Sequence, residues 1–402
     1  MKVLVINCGS SSIKYKLFFL DTQQVGAEGI VERVGESNGE VNHVSLPGDH
    51  REKRVTIGAA VPDHGRGLEI VIGLLTHPDH GVISNRGEIA AIGHRVVHGG
   101  EFFRTPTLME EDTLAKIEAM VPLAPLHNPA NLKGITVARL LFPGTPQVAV
   151  FDTAFHQSLP ACAYRYAVPD EYYTRHHLRR YGFHGTSHQY VARKAAAMLG
   201  LQPEKANLIT LHLGSGCSVT AVRNGASADT SMGMTPVAGL IMGTRCGDID
   251  PGIAVHMERT LGLAPVELDT LLNKNSGLKG ICGFNDMRDI QRRRREGDAR
   301  AQLAFEMFVY SVKKYIGAYA AVLGRLDALV FTAGIGENDP EVRAACCANL
   351  DLLGIRIDPS RNRERRQDAR SIHSPAGSVA VLVIPTDEEY EIARQTADIL
   401  AD

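Results

Sequence analysis

The stretch Asn7-Cys8-Gly9-Ser10-Ser11-Ser12-Ile13-Lys14 decides how the rest of the chain is read. It follows the apolar run Val3-Leu4-Val5-Ile6 and precedes a second extended segment, residues 15–20. An apolar strand, a tight Gly/Ser turn and another strand predict a β-hairpin. Gly9 lets the backbone bend and come close to a ligand. The hydroxyls of Ser10, Ser11 and Ser12, with the N–H groups of the turn, can cup an anion. Lys14 adds a point charge for phosphate. Asn7, at the strand end, offers a neutral oxygen of the kind that magnesium accepts, often through water. The plain alternative is a polar turn with one exposed lysine, and the segment alone separates the two only weakly. Three further turns of this kind downstream favour phosphate.

At 402 residues the chain is too long for one core, so two domains are expected. A net charge of −2 argues against nucleic acid or an anionic membrane surface as partner, since both need a basic excess. The seven cysteines are odd in number and form no C-x-x-C pair, which reads as reduced thiols in a cytoplasmic protein. The adjacent Cys346 and Cys347 read as helix packing. The first apolar run is short and continues into the hairpin, so no signal peptide is expected, and no apolar run is long enough to span a bilayer.

Along the chain, residues 26–34 read as a strand, 36–54 as loop or edge strand, and 67–75 as a helix. Residues 88–97 form an apolar strand with Arg95 near its end, before His98-Gly99-Gly100. A charge at the close of a buried strand is a typical site position in open α/β sheets; the alternative is an arginine pinned in a salt bridge. Residues 110–120 read as a helix, 122–129 as a Pro-fixed loop containing His127, 135–141 as a helix and 147–151 as a strand closed by Asp152. That acid stands where such folds place metal or acid–base groups, or else caps a helix after it. His184 lies in the Gly-bracketed loop 179–186, as an anion donor or a buried structural histidine, and Ser187 reads as the cap of a helix through Leu199.

Residues 207–222 repeat the opening device, with Gly214-Ser215-Gly216 as the turn. Two such hairpins suggest two related domains facing one nucleotide. Residues 229–252 are nearly all turn chemistry, and a long ordered loop of that kind is more often functional than not. Arg245 sits in it as a second oxyanion contact, or paired with Asp248 or Asp250. Residues 275–283 read as a Gly/Ser turn. Asp286-Met287-Arg288 opens a helix whose four arginines, Arg292 to Arg295, lie among acids and read as a solvated face. Residues 305–323 form an amphipathic core helix. The strand 328–331 leads into Gly334-Ile335-Gly336-Glu337-Asn338, a nucleotide-contact geometry that is neither a Rossmann fingerprint nor a Walker loop. Glu388 opens the terminal helix, as dipole compensation or as a metal ligand.

Taken together, Asn7 to Lys14, Gly93 to Gly100, Phe151 to His156, Tyr181 to His188 and the terminal Glu388 resemble the acetate kinase family, in order and over essentially the whole chain. The resemblance implies an α/β protein of the actin-like ATPase (ribonuclease H-like) duplicated fold. Its domains would be 1–150, with 386–402 returning to it, and 151–385, closing on ATP in a cleft, and the protein would be a homodimer. The resemblance places His184 and Arg245 on the transferring phosphoryl group and Asp152 as catalytic acid. On physical grounds Asp152 is expected instead to orient an arginine or the metal. Arg95 is assigned to the substrate carboxylate. Val97, Leu126, Phe183 and Pro236 match the small acyl pocket. Lys14, Ser10, Ser12, His212, Leu213, Gly214, Ser215 and Gly216 would face phosphates. Asp286, Met287, Arg288, Gly334, Ile335, Gly336, Glu337 and Asn338 would take the adenosine. Asn7 and Glu388 would hold magnesium, or manganese in its place. Ser215 departs from the asparagine usual in that turn.

The implied reaction moves the γ-phosphoryl of ATP to acetate, giving acetyl phosphate and ADP, and reverses. A carboxylate is already an anionic nucleophile near neutral pH, so no strong base is required. The need is alignment and neutralisation of charge on the equatorial oxygens of a loose, in-line transition state. Two alternatives are a propionate or butyrate kinase of the same fold, and an ATP-switched binding module without transfer chemistry.

Overall fold

In the computed structural model, which describes residues 1–125 and 127–401, the opening apolar run is strand β1 (Lys2–Cys8) and the segment after the turn is β2 (Ser12–Phe19). They pair antiparallel, and Gly9 N–H donates to Ser12 O across the turn at 2.8 Å. The strands β3 (Gln24–Glu32), β4 (Glu36–Ser45), β5 (Lys53–Val61), β6 (Ala91–Val96), β7 (Thr107–Leu108) and β8 (Gln147–Phe151) complete a sheet of order β5-β4-β3-β2-β1-β6-β8-β7. β1, β6 and β8 run parallel and need cover on both faces. Alternate residues of β1 supply it. Leu4 and Ile6 pack with Leu68, Val71 and Leu75 of the helix His64–Leu75, while Val3 and Val5 pack with Ile392 and Ala393 of the helix Glu388–Ala401.

The second sheet holds β9 (Asn207–Leu213), β10 (Cys217–Arg223), β11 (Ala226–Thr230), β12 (Ala328–Thr332), β13 (Arg370–Ser371) and β14 (Ala380–Val383), in the order β11-β10-β9-β12-β14-β13. The weak sequence repeat is a repeated topology. In β3-β2-β1-β6-β8 and in β11-β10-β9-β12-β14 the first two pairings are antiparallel and the next two parallel. Two compact units result, Met1–Ala154 with the segment from Asp387 onward, and Phe155–Thr386. Among the described residues no helix is long and apolar enough to cross a membrane.

Several local expectations shift. Residues 36–54 give β4 and the start of β5, because Val41, His43 and Ser45 alternate inward and Tyr15 Oη meets His43 Nδ1 at 2.6 Å. The Pro-fixed loop yields early to the helix Asn128–Leu141, with Pro129 in its first turn, where a missing N–H costs nothing. Leu126, expected in the acyl pocket, lies outside the described residues. The helix Gly185–Met198 starts at His184, whose backbone is left-handed (φ 57°), so Ser187 lies inside the helix and does not cap it. Residues 334–338 are themselves helical, in Ala333–Asn338, after a left-handed Ala333 (φ 64°). A short helix, Gly277–Cys282, replaces the expected turn.

Candidate active site

Arg95 and Asp152 end adjacent parallel strands, and the sheet brings them together. Arg95 Nε donates to Asp152 Oδ1 at 3.1 Å and Nη2 to Oδ2 at 2.7 Å, a two-pronged pair on a carboxylate only 2% exposed. Its Nη1 has no hydrogen bond among the described residues, so one edge of the guanidinium stays open. Glu388, at the start of the last helix, joins them. Burial pushes its carboxyl up to about 7; Arg95 and Lys14 pull the other way, and Asp152 and Glu389 add to the rise. The last helix reaches this point because Gly93 admits it: a Cβ there would stand 2.5 Å from Thr396 Oγ1 and 2.8 Å from Ile392 Cγ2. Behind Arg95, Asn131 accepts from Val97 N–H at 3.1 Å and donates to Cys8 O at 2.8 Å, tying the end of β6 to the mouth of the Gly9 turn.

The second unit gathers His184, His212 and Arg245 over the Gly214–Gly216 turn. The rings of His184 and His212 stack at 4.1 Å. A Cβ on Gly216 would lie 3.3 Å from Arg245 Nη1 and 3.4 Å from His184 Nε2, so both side chains come close to the turn at that glycine. Arg245 contacts Pro236 O at 3.4 Å and Met242 Sδ at 3.8 Å, and no carboxylate pairs with it among the described residues. The acids weighed as its partners are engaged elsewhere. Asp248 accepts from Gly239 N–H and from the Tyr315 hydroxyl, and Asp250 caps Gly252. Burial lowers the Arg245 pKa, which marks a cation lacking its counter-charge. The loop is held by Arg180, whose Nη1 reaches the carbonyls of Thr230, Ser231 and Met232.

Of the residues expected at the adenosine, Glu337 uses its carboxylate within the unit, accepting from Ala333 N–H at 2.7 Å and Thr386 N–H at 3.1 Å. Asn338 bonds back to Gly334 O, and Arg288 pairs with Asp286, the cap of the helix Met287–Arg295. In the opening turn Ser10 and Lys14 are exposed and Ser12 half-buried.

The model of the Acetokinase family matches residues 2–394. The chain belongs to the acetokinase family. It is 54% identical over 400 residues to an acetate kinase of Nitratidesulfovibrio vulgaris (strain DP4), covering all of both chains. It is 52% identical over 403 residues to one of Streptomyces coelicolor, covering 100% of this chain and 97% of the relative. Its structure superposes on the crystal structure of Porphyromonas gingivalis acetate kinase with a TM-score of 0.95 at 44% identity, covering 99% of each chain. On a propionate kinase from Francisella tularensis the TM-score is 0.91 at 43% identity, again covering 99% of each. The duplicated sheets are those of the actin-like ATPase fold, and the acetokinase chain is a kinase.

Within this acetokinase chain, then, Arg95, Asp152 and Glu388 form one group and His184, His212, Gly216 and Arg245 another. Phe183 is buried, with its carbonyl accepting from His156 Nε2 at 3.0 Å, and Val97 is half-buried. Sequence reasoning misses Asn131, Ser218 and Thr386, and takes Ser187 for a cap. Ser187 Oγ lies 2.8 Å from both His212 Nδ1 and Thr386 Oγ1. Their only sequence signal is polarity at positions otherwise facing a core.

Proposed function

We propose that the chain catalyses reversible transfer of the γ-phosphoryl of ATP to acetate, giving acetyl phosphate and ADP by direct in-line displacement. One observation carries the reading: a half-buried Arg245 without a carboxylate partner, beside His184 and over a Gly-x-Gly turn. A structural arginine in that setting would be paired; one left open suits the three equatorial oxygens of a phosphoryl group in flight. Arg95 would take the acetate carboxylate through its open edge, with Asp152 fixing the guanidinium rather than passing a proton. Val97, Phe183 and Pro236 would border the methyl group. One more methylene changes discrimination by about 1–3 kcal/mol, so propionate should be a poorer but real substrate.

Magnesium belongs to the same proposal. Glu388 is a carboxylate short of positive charge, which fits a divalent cation, and Asn7 adds a neutral oxygen. Both would reach the ion mostly through water. When bound, the ion would neutralise charge on the β- and γ-phosphate oxygens. The turns at Ser10 to Lys14, His212 to Gly216, Asp286 to Arg288 and Gly334 to Asn338 would hold the nucleotide. A cytoplasmic homodimer, with no nucleic-acid or membrane partner, completes the reading. The test is trapping with hydroxylamine: acetate, ATP and magnesium should yield acetohydroxamate in step with ADP. ADP formed without hydroxamate would instead indicate an ATP-driven switch.

A further inference from the structure

The groups that hold the His184 ring lie behind it. His184 Nδ1 is 2.8 Å from Ser218 Oγ, and the same hydroxyl is 2.7 Å from His188 Nε2. His188 Nδ1 is 2.7 Å from Thr210 Oγ1, which reaches Thr220 O at 3.5 Å. Ser218, His188 and Thr210 are all 0% exposed, so their polar atoms must satisfy one another. Burial, with His156 and His212 nearby, holds the His188 pKa well below its usual range, so that ring is neutral, with one donor and one acceptor nitrogen. Each hydroxyl also has a single proton. A chain of such links can point in only two directions, and its ends choose between them.

At the inner end Thr220 O can only accept. Thr210 gives its proton there, and its oxygen accepts from His188 Nδ1–H. His188 Nε2 then accepts from the Ser218 hydroxyl, and Ser218 Oγ accepts from His184 Nδ1–H. At the outer end His184 Nε2 and Arg245 Nη1 share the small space beside Gly216. A lone pair on Nε2 is drawn to that cation, whereas an N–H would be opposed. Both ends select the same direction.

We infer that Ser218, His188 and Thr210 are positioning residues that fix neutral His184 as its Nδ1–H tautomer, with the Nε2 lone pair facing Arg245. Its use rests on the kinase reading, since Nε2 would be the atom turned to the phosphoryl group; the tautomer does not rest on it. The ring can then donate to an anion from Nε2 only after taking up a second proton there. Free imidazole side chains in water favour the opposite tautomer, so the chain imposes the less common form.

The experiment is nitrogen NMR of the full chain labelled with ¹⁵N-histidine, above the usual histidine range at about pH 8.5, with His184 assigned by its loss in His184→Gln. The expected spectrum has a protonated Nδ1 and a bare Nε2. Thr210→Val keeps the shape but removes the acceptor, and should move the His184 proton to Nε2. Ser218→Ala should lower kcat by about 100-fold with the KM for acetate within about twofold. A proton on Nε2 in the parent overturns the inference, and so does a Thr210→Val spectrum identical to the parent. The parent spectrum decides alone if the variants do not fold. Nδ1–H in a chain that makes no acetyl phosphate would sustain this inference and remove the kinase reading.

Discussion

Arg245 and Arg95 are both half-buried arginines, yet they differ in what their loss should do. Nothing anionic among the described residues leans on Arg245, so Arg245→Ala should leave the melting temperature within a degree or two while turnover falls by about 10³-fold or more. The measurement is the hydroxamate rate at saturating substrates, paired with a thermal melt. Arg95→Ala strands the buried Asp152 carboxylate, so it should cost about 3 kcal/mol of stability as well as acetate binding. Denaturant unfolding of the variant, and of Arg95→Ala with Asp152→Asn, checks this; the double variant should recover most of the loss. Position made both residues legible in the sequence: Arg95 closes an apolar run, where a charge has few reasons to be, and Arg245 sits in a long loop of turn residues. The Asp152 pairing and the absence of a partner for Arg245 were not legible, since each depends on which strands and loops are neighbours. Ser218 and Thr210 were hidden for the same reason: a hydroxyl inside an apolar strand looks like an ordinary sheet residue until the histidines behind it are placed.

Elements hold these side chains through close approach and through buried amides. Gly93 lets the last helix lie against β6, so Gly93→Val should destabilise by about 1–3 kcal/mol and raise the magnesium requirement, as Glu388 is carried away with the helix. Titration of activity with magnesium and a denaturant melt would check both halves. Asn131→Ala leaves Val97 N–H and Cys8 O without their side-chain partner, at about 1–3 kcal/mol in unfolding experiments. The hairpins and the strand–helix alternation were readable from periodicity and Gly/Ser turns. The starts of the helices at His184 and Ala333 were not. Both residues adopt left-handed backbone, which local propensity opposes and which surrounding contacts must impose.

At the scale of the whole molecule, a set of buried histidines makes folding sensitive to acid. His43, His94, His98 and His156 are each lowered to about 4, chiefly by burial. The unfolded chain binds protons at these rings below about pH 6.5, whereas the folded chain does not until near pH 4. Stability should therefore fall as pH drops through that window, by up to about 1.4 kcal/mol per pH unit for each ring. Glu388, raised to about 7, works the other way and offsets one of the four. Melting temperatures at pH 5 and pH 7.5 should differ by several degrees, and equal values would contradict the neutral burial of these rings. The duplicated sheet order was legible as two similar hairpins; the parallel strands that make it a duplication were not, since their partners are far apart in sequence. The proposed chemistry depends on Arg245 and His184 flanking one planar phosphoryl group. A crystal structure with ADP, acetate, magnesium and aluminium fluoride measures this directly. Arg245 Nη atoms and His184 Nε2 are expected within about 3 Å of the fluorides; both groups turned away from the fluoride plane would contradict the proposed chemistry.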